Sequence, residues 1–140
     1  MTMTDASLLS QRYRRAADFT DAVDRGYLSL KKEQCGYAAM ANEGDAFARL
    51  ANVLAALIEL LTPTPVPGHL PRSDLIPDAV LSRLRSDKGV DQLLPSLRSL
   101  TVLLHSSKPA PDDRQLSALD WLARLGHAEA STTFRRLMRH

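Results

Sequence analysis

The chain has 140 residues and a mass of 15.4 kDa, the size of a single domain with one hydrophobic core. Hydrophobic residues make up 44%, and eighteen cationic against sixteen acidic side chains leave a net charge of +2, so the chain is not a polycation. The single cysteine, Cys35, excludes an intramolecular disulfide framework and fits a reducing compartment. No secretory signal is evident in residues 1–10, and no apolar segment is long enough for a membrane span. We therefore expect one domain over residues 1–140, located in the cytoplasm and not in a membrane.

Small and apolar residues recur along the N-terminal part of the chain at alternating steps of four and three. This heptad-like stripe predicts a helical segment. Because Gly26 and Gly36 each cost about 1 kcal/mol relative to alanine inside a helix, the segment is either one long helix or a helical hairpin broken near Gly26. The stripe consists of Leu9, Tyr13, Ala16, Thr20, Val23, Tyr27, Leu30, Gln34, Tyr37 and Ala41.

The sequence Asn42-Glu43-Gly44-Asp45 predicts a helix boundary. Gly44 suits the left-handed position after a helix, and the carboxylate of Asp45 suits the N-cap of the next one. In the segment that follows, apolar residues recur at helical spacing and predict a central core helix. They are Phe47, Leu50, Leu54, Leu57, Ile58 and Leu61.

A proline-rich segment over residues 62–72 separates this helical half from a second one. Its four prolines cannot continue a helix and bias the residues before them towards extended geometry, so we expect a stiff connector. The alternative is a polyproline segment that binds an aromatic groove on another protein.

Helix signals continue after the connector. Ser73 or Asp74 is the expected cap of a short helix that has Pro77 in its first turn and ends near Ser86. Asp91 is the expected cap of the next helix, in which Pro95 lies near the start. Its apolar face comprises Leu94, Leu97, Leu100 and Leu104, with Val102 as a further candidate.

The C-terminal segment begins with a sequence typical of a capping box, Asp112 followed three residues later by Gln115. Gly126 is expected to separate this helix from a final one that carries Phe134 and Leu137. No alternation typical of a strand occurs in the sequence. The fold class is therefore all-α, a compact bundle of five to seven helices.

Sequence motifs for catalysis and for cofactor or metal binding are lacking. Neither the four histidines nor Cys35 have metal-ligand spacing, and no glycine-rich phosphate loop or nucleophile elbow occurs. Asp18, Asp21 and Asp24 share a helix face, which a solvated surface explains better than a metal site. We therefore predict no catalytic residue, no metal and no cofactor.

Arginines form two clusters near the chain ends, Arg12, Arg14 and Arg15 and then Arg135, Arg136 and Arg139. If both lie on one side of the bundle, they can contact phosphates together. The simpler interpretation is that they form solvated helix faces, with the C-terminal cluster complementing a helix dipole.

The functional prediction is a non-catalytic protein-interaction module: a small subunit, adaptor or inhibitor within a larger bacterial-type cytoplasmic complex. The heptad-like stripe would contact another protein or a second copy through Tyr13, Thr20, Tyr27 and Tyr37. The alternative is an accessory nucleic-acid-binding subunit that contacts the phosphate backbone through both arginine clusters.

Overall fold

All regular structure in the described part of the computed structural model is helical, which confirms the all-α prediction. The described residues are 5–34, 43–62, 73–86, 90–106 and 110–139. Within them lie five α-helices and one 3-10 turn, Ser73–Leu75. The helices are α1 (Asp5–Gln34), α2 (Glu43–Leu61), α3 (Asp78–Ser86), α4 (Val90–Leu104) and α5 (Asp113–Met138).

Helix α1 runs without a break through Gly26, so the long-helix alternative is correct and the break near Gly26 is wrong. Gly26 is buried where α2 crosses α1, and a β-carbon at this position would lie 2.9 Å from the β-carbon of Leu50. The glycine therefore serves close packing of two helices. The expected continuation through Gly36, Tyr37 and Ala41 lies outside the described residues.

Helix α5 is also continuous, and the expected separation at Gly126 is wrong. A β-carbon on Gly126 would overlap the side-chain oxygen of Thr20 and would lie 3.0 Å from Phe19 Cδ1. Glycine at this position allows α5 to approach α1 closely. The helix extends past it because the interhelical contacts outweigh the low helix propensity of one residue.

Some helices begin where the sequence predicts a cap, and others begin at a different residue. The capping box of α5 is confirmed: the Gln115 amide donates to Asp112 Oδ1 at 2.8 Å, and the Asp112 amide donates to Gln115 Oε1 at 2.9 Å. Pro77 lies just before α3, and its carbonyl accepts a hydrogen bond from the Leu81 amide. A helix does begin within the predicted boundary 42–45, but α2 already starts at Glu43, so Gly44 and Asp45 lie in its first turn and the expected N-cap at Asp45 is wrong.

The core forms where α2 packs between α1 and α4, with α5 against both α1 and α4, and α2 occupies the central position expected from its sequence. The stripe on α1 turns inward, with Ala16, Val23 and Leu30 fully buried. On α4 the buried face excludes Val102, which is 74% exposed, contrary to the expectation. The largest fully buried side chains are Phe19, Val23, Leu30, Leu50, Leu54, Leu57, Ile76, Leu84, Leu97, Leu100, Leu119 and Leu122.

Helices α1 and α5 pack side by side in opposite directions, and this pair makes the most extensive contact in the fold. At one end Gln34 Nε2 donates to Asp113 Oδ1 at 3.0 Å. At the other end the rings of Tyr13 and Phe134 lie 5.7 Å apart. The start of α1 and the end of α5 therefore lie together. None of the helices described here is both long and apolar enough to cross a membrane.

Candidate interaction surface

The two long helices extend beyond the core at the end where the chain begins. No described residue of α1 before Ala16 is buried, and none of α5 after Thr133 is buried. We call residues 5–15 of α1 together with residues 134–139 at the end of α5 the arm. The arm is a two-helix extension whose faces are only partly covered by the rest of the chain.

Helix lengths explain why the arm is uncovered. At 1.5 Å per residue, the 30 residues of α1 and the 26 residues of α5 span about 45 Å and about 39 Å. The other helices have 19, 9 and 15 residues and cannot cover that whole length. Helix α2 crosses α1 near Gly26, far from the arm, and α3 reaches the arm with its first residue, Asp78, whose carboxylate lies 3.9 Å from Arg15.

Apolar side chains are concentrated in the arm although none of them is buried. Leu8 is 45% exposed, Phe134 49% and Met138 72%, and these are three of the five large exposed apolar side chains in the described structure. The half-buried members are Leu9, Tyr13 and Leu137. A cluster of this kind differs from isolated exposed leucines and is typical of interaction surfaces.

The structure brings both predicted arginine clusters into the arm. Arg12 Nη2 donates to Glu129 Oε1 at 3.1 Å, and Arg15 lies 3.9 Å from the exposed carboxylate of Asp78. The other four have exposed side chains and form no ion pair with any described residue; they are Arg14, Arg135, Arg136 and Arg139. Most of the arm's positive charge is therefore free to meet a ligand.

Charge is distributed unevenly between the arm and the rest of the chain. The arm contains six of the eighteen cationic side chains and one of the sixteen carboxylates, that of Asp5. The rest of the chain contains twelve cationic and fifteen acidic side chains and is therefore net acidic. The near-neutral total therefore conceals a strongly positive arm.

A groove of about 570 Å³ runs along the arm. On α1 its lining residues are spaced so that they share one helix face. Arg136 joins them from α5, and Asp78 lies at the start of α3. The lining consists of Asp5, Leu8, Leu9, Gln11, Arg12, Arg15, Asp78 and Arg136. We call this feature the arm groove.

The residues predicted to contact a partner are separated by the fold. Tyr13 lies in the arm. Thr20 is only 5% exposed, and its hydroxyl donates to the Ala16 carbonyl at 2.7 Å, so it lies between α1 and α5 rather than on the surface. Tyr27 is half-buried against the core, with Lys31 Nζ 5.7 Å from its ring centre. Tyr37 lies outside the described residues.

Two of the three aspartates that share a face of α1 contact basic side chains. Asp21 accepts from Arg25 and from Arg49 of α2, both at 3.0 Å, and Asp24 lies 2.9 Å from His127 of α5. Partial burial raises the pKa of Asp21, but hydrogen bonds and charge from the two arginines outweigh it and leave the pKa below its ordinary value. No group of three metal-ligating side chains occurs in the part of the chain that the structure describes.

A second groove, between α4 and α5, is lined by Pro95 and the half-buried Trp121. It contains one carboxylate, Asp113, and one guanidinium, Arg114, and has no excess charge. The arm groove is therefore the better candidate for selective binding.

Leu8, Phe134 and Met138 were not predicted from the sequence as surface residues. The available signal was that apolar residues adjoin both arginine clusters at the outer ends of the two longest helical segments. The arm combines apolar contact area with guanidinium groups, which suits binding of anionic surfaces.

In comparisons with known proteins, no family model, curated protein or solved structure matches the chain.

Proposed function

We propose that the chain is a non-catalytic protein-interaction module that contacts its partner through the arm. The observation that carries this proposal is that the exposed residues Leu8, Phe134 and Met138 lie in the same arm as four arginines that form no ion pair with a described residue. Aromatic residues, methionine and arginine are the types enriched at protein interfaces, where they supply most of the binding energy.

A chain of 140 residues has a size that suits a small subunit, an adaptor or an inhibitor, and we propose one of these roles. A larger cytoplasmic complex as the setting stays a prediction from the sequence. The stripe on α1 contributes to the proposed contact only at its start, through Leu9 and Tyr13, because most of its described middle residues pack inside the bundle.

The alternative is an accessory nucleic-acid-binding subunit. The observation that favours it is the presence of all six arginines in one arm, where they can contact successive phosphates. The exposed side chains of Leu8 and Met138 favour a protein partner, since phosphate-binding surfaces are more polar.

The proposal is tested by quantitative co-purification from the cells in which the chain naturally occurs. One variant carries Leu8→Glu and Met138→Glu in the arm. The matched control carries Leu28→Glu and Val102→Glu, which are exposed apolar positions outside it, at 58% and 74% exposure. We expect the same protein to co-purify with the wild type and the control and to be depleted at least tenfold with the arm variant.

Equal recovery of every co-purifying protein with both variants would contradict the proposal. Recovery of nucleic acid that depends on the arm and disappears at high salt would favour the alternative. Circular dichroism and thermal unfolding of both variants establish that each remains folded.

A further inference from the structure

We propose that the partner segment bound by the arm is an acidic amphipathic α-helix seated in the arm groove. This inference rests on the proposed function and adds the conformation and chemistry of the ligand. It is carried by the all-helical lining, by the length of the groove and by the charge of the arm.

A helical ligand fits because the arm offers no backbone hydrogen-bonding edge. Beyond the first turn of α1, the backbone donors and acceptors of the arm's α1 strip pair with each other inside the helix. An extended peptide therefore finds no strand to join, whereas a helix satisfies its own backbone and presents only side chains. Helix-in-groove binding uses residues at spacings of three and four, the spacing of Asp5, Leu8, Leu9 and Arg12 on α1.

The length of the groove sets the size of the ligand. From Asp5 to Arg15 the lining of α1 extends over ten residue steps, or about 15 Å. A partner helix of about three turns covers this distance. The apolar side chains of that helix would meet Leu8 and Leu9.

The charge of the arm selects an acidic ligand. Arg12, Arg15 and Arg136 line the groove against the carboxylates of Asp5 and Asp78. Arg12 pairs with Glu129 and Arg15 lies near Asp78, so Arg136 is the lining guanidinium without an ion pair to a described residue. Arg14, Arg135 and Arg139 add to the positive field of the arm. A guanidinium group binds a carboxylate through two parallel hydrogen bonds, so glutamates beside an apolar stripe complement this surface.

The same charge argues against a second copy of the chain as the occupant. A symmetric dimer through the arm would place six arginines opposite six others, with one aspartate on each side. Like charges at an interface strongly disfavour association. A different protein with an acidic segment avoids this repulsion.

The test uses the full-length protein with three synthetic 18-residue peptides and one single-stranded oligonucleotide. The first has leucines at spacings of three and four with flanking glutamates. The second has the glutamates replaced by lysines. The third has the composition of the first in an order that destroys the apolar stripe. Fluorescence anisotropy at low salt measures binding to the wild type, to Arg136→Glu in the groove and to Arg98→Glu on α4. Arg98→Glu is a matched control because neither arginine forms an ion pair with a described residue.

We expect the first peptide to bind the wild type and the Arg98→Glu control, and to bind Arg136→Glu at least fivefold more weakly. The lysine and reordered peptides should bind at least tenfold more weakly than the first. Equal binding of the first and reordered peptides, an equal effect of the two arginine substitutions, or preference for a single-stranded oligonucleotide would overturn the inference.

Failure of this inference is distinguishable from failure of the proposed function. If the acidic helical peptide does not bind while the Leu8→Glu and Met138→Glu variant still loses its co-purifying protein, the arm is an interaction surface for a ligand of different chemistry. The inference is then wrong, and the proposed function stands.

Discussion

Thr20 of α1 lies directly against Gly126 of α5, so closely that a β-carbon at position 126 would overlap the threonine hydroxyl oxygen. The ring of Phe19 closes the same space, with Cδ1 3.0 Å from the position of that β-carbon. Because Thr20 also donates to the Ala16 carbonyl, its side chain is held in place. Gly126 therefore lets α5 approach α1 closely at this point.

Replacement of this glycine should destabilise the fold. Overpacking costs about 1–3 kcal/mol, and alanine recovers about 1 kcal/mol through its helix propensity. Since Thr20 and Phe19 have little freedom to move, we expect Gly126→Ala to lower the free energy of unfolding by about 1–2 kcal/mol, measured by urea denaturation. In the Thr20→Ala background the same substitution should cost less, which a double-mutant cycle detects.

Gly26→Ala and Gly44→Ala form a matched pair that separates packing from helix propensity. At Gly26 the added carbon would meet the β-carbon of Leu50 at 2.9 Å, so we expect a loss of about 1–2 kcal/mol. At Gly44 it would meet nothing within 4 Å, and the variant should be unchanged or more stable by up to about 1 kcal/mol. Equal unfolding midpoints for the two variants would contradict this account of the helix crossing.

These glycines also show what the sequence reveals about the fold. Apolar spacing was sufficient to predict helices and an inward-facing stripe, since burial follows the helical period. The break predicted at Gly126 and the one left open at Gly26 do not occur, and the sequence could not exclude them because glycine has the same local effect whether it ends a helix or lets a neighbouring helix approach. Only the positions of Leu50 and Thr20 on other helices distinguish the two cases.

The capping box at the start of α5 should contribute measurably to stability. Asp112 and Gln115 satisfy each other's backbone amides, and Gln115 also donates to Ser99 of α4 at 2.9 Å. We expect Asp112→Ala to cost about 1 kcal/mol and Asp112→Asn to cost less, since asparagine still accepts the hydrogen bond. The control Arg114→Ala removes an exposed neighbour without an ion pair to any described residue, and thermal unfolding should show little change.

The ion pair between Asp21 of α1 and Arg49 of α2 should make stability depend on acid. The pKa of Asp21 is lower in the folded chain than its ordinary value, so its contribution is complete above about pH 4 and is lost as the pH falls below it. Because both side chains are nearly half exposed, we expect Asp21→Asn to cost only about 0.5 kcal/mol at pH 7. The difference from wild type should shrink towards pH 3, and a difference that stays constant over this range would contradict the assignment.

The arm should contribute little to stability. Its apolar side chains are exposed or half-buried, so Leu8→Glu with Met138→Glu should change the free energy of unfolding by less than about 1 kcal/mol. By contrast, Leu119→Ala in the fully buried core should cost about 2–5 kcal/mol. Urea denaturation of both proteins makes the comparison, and a severe loss of stability in the arm variant would show that the arm is part of the core.

The candidate site was only partly predictable from the sequence. The two arginine clusters were identified in the sequence. Their proximity in the arm depends on the antiparallel packing of α1 and α5, which no local sequence pattern determines. Thr20 belongs to the same stripe as Tyr13, yet the core covers one and leaves the other in the arm. Periodicity identifies an apolar face, whereas the lengths of the neighbouring helices determine where that face stops being covered.

Site-specific photo-crosslinking in the native cells tests the role of the arm most directly. A crosslinking amino acid is placed at Leu8 or Met138 in the arm, and at Leu28 or Val102 as controls. We predict that one protein is captured from both arm positions and from neither control, with the crosslinked segment helical and rich in glutamate or aspartate. Capture of the same proteins from all four positions, or of no protein from the arm, would contradict the assignment of the arm as the interaction surface.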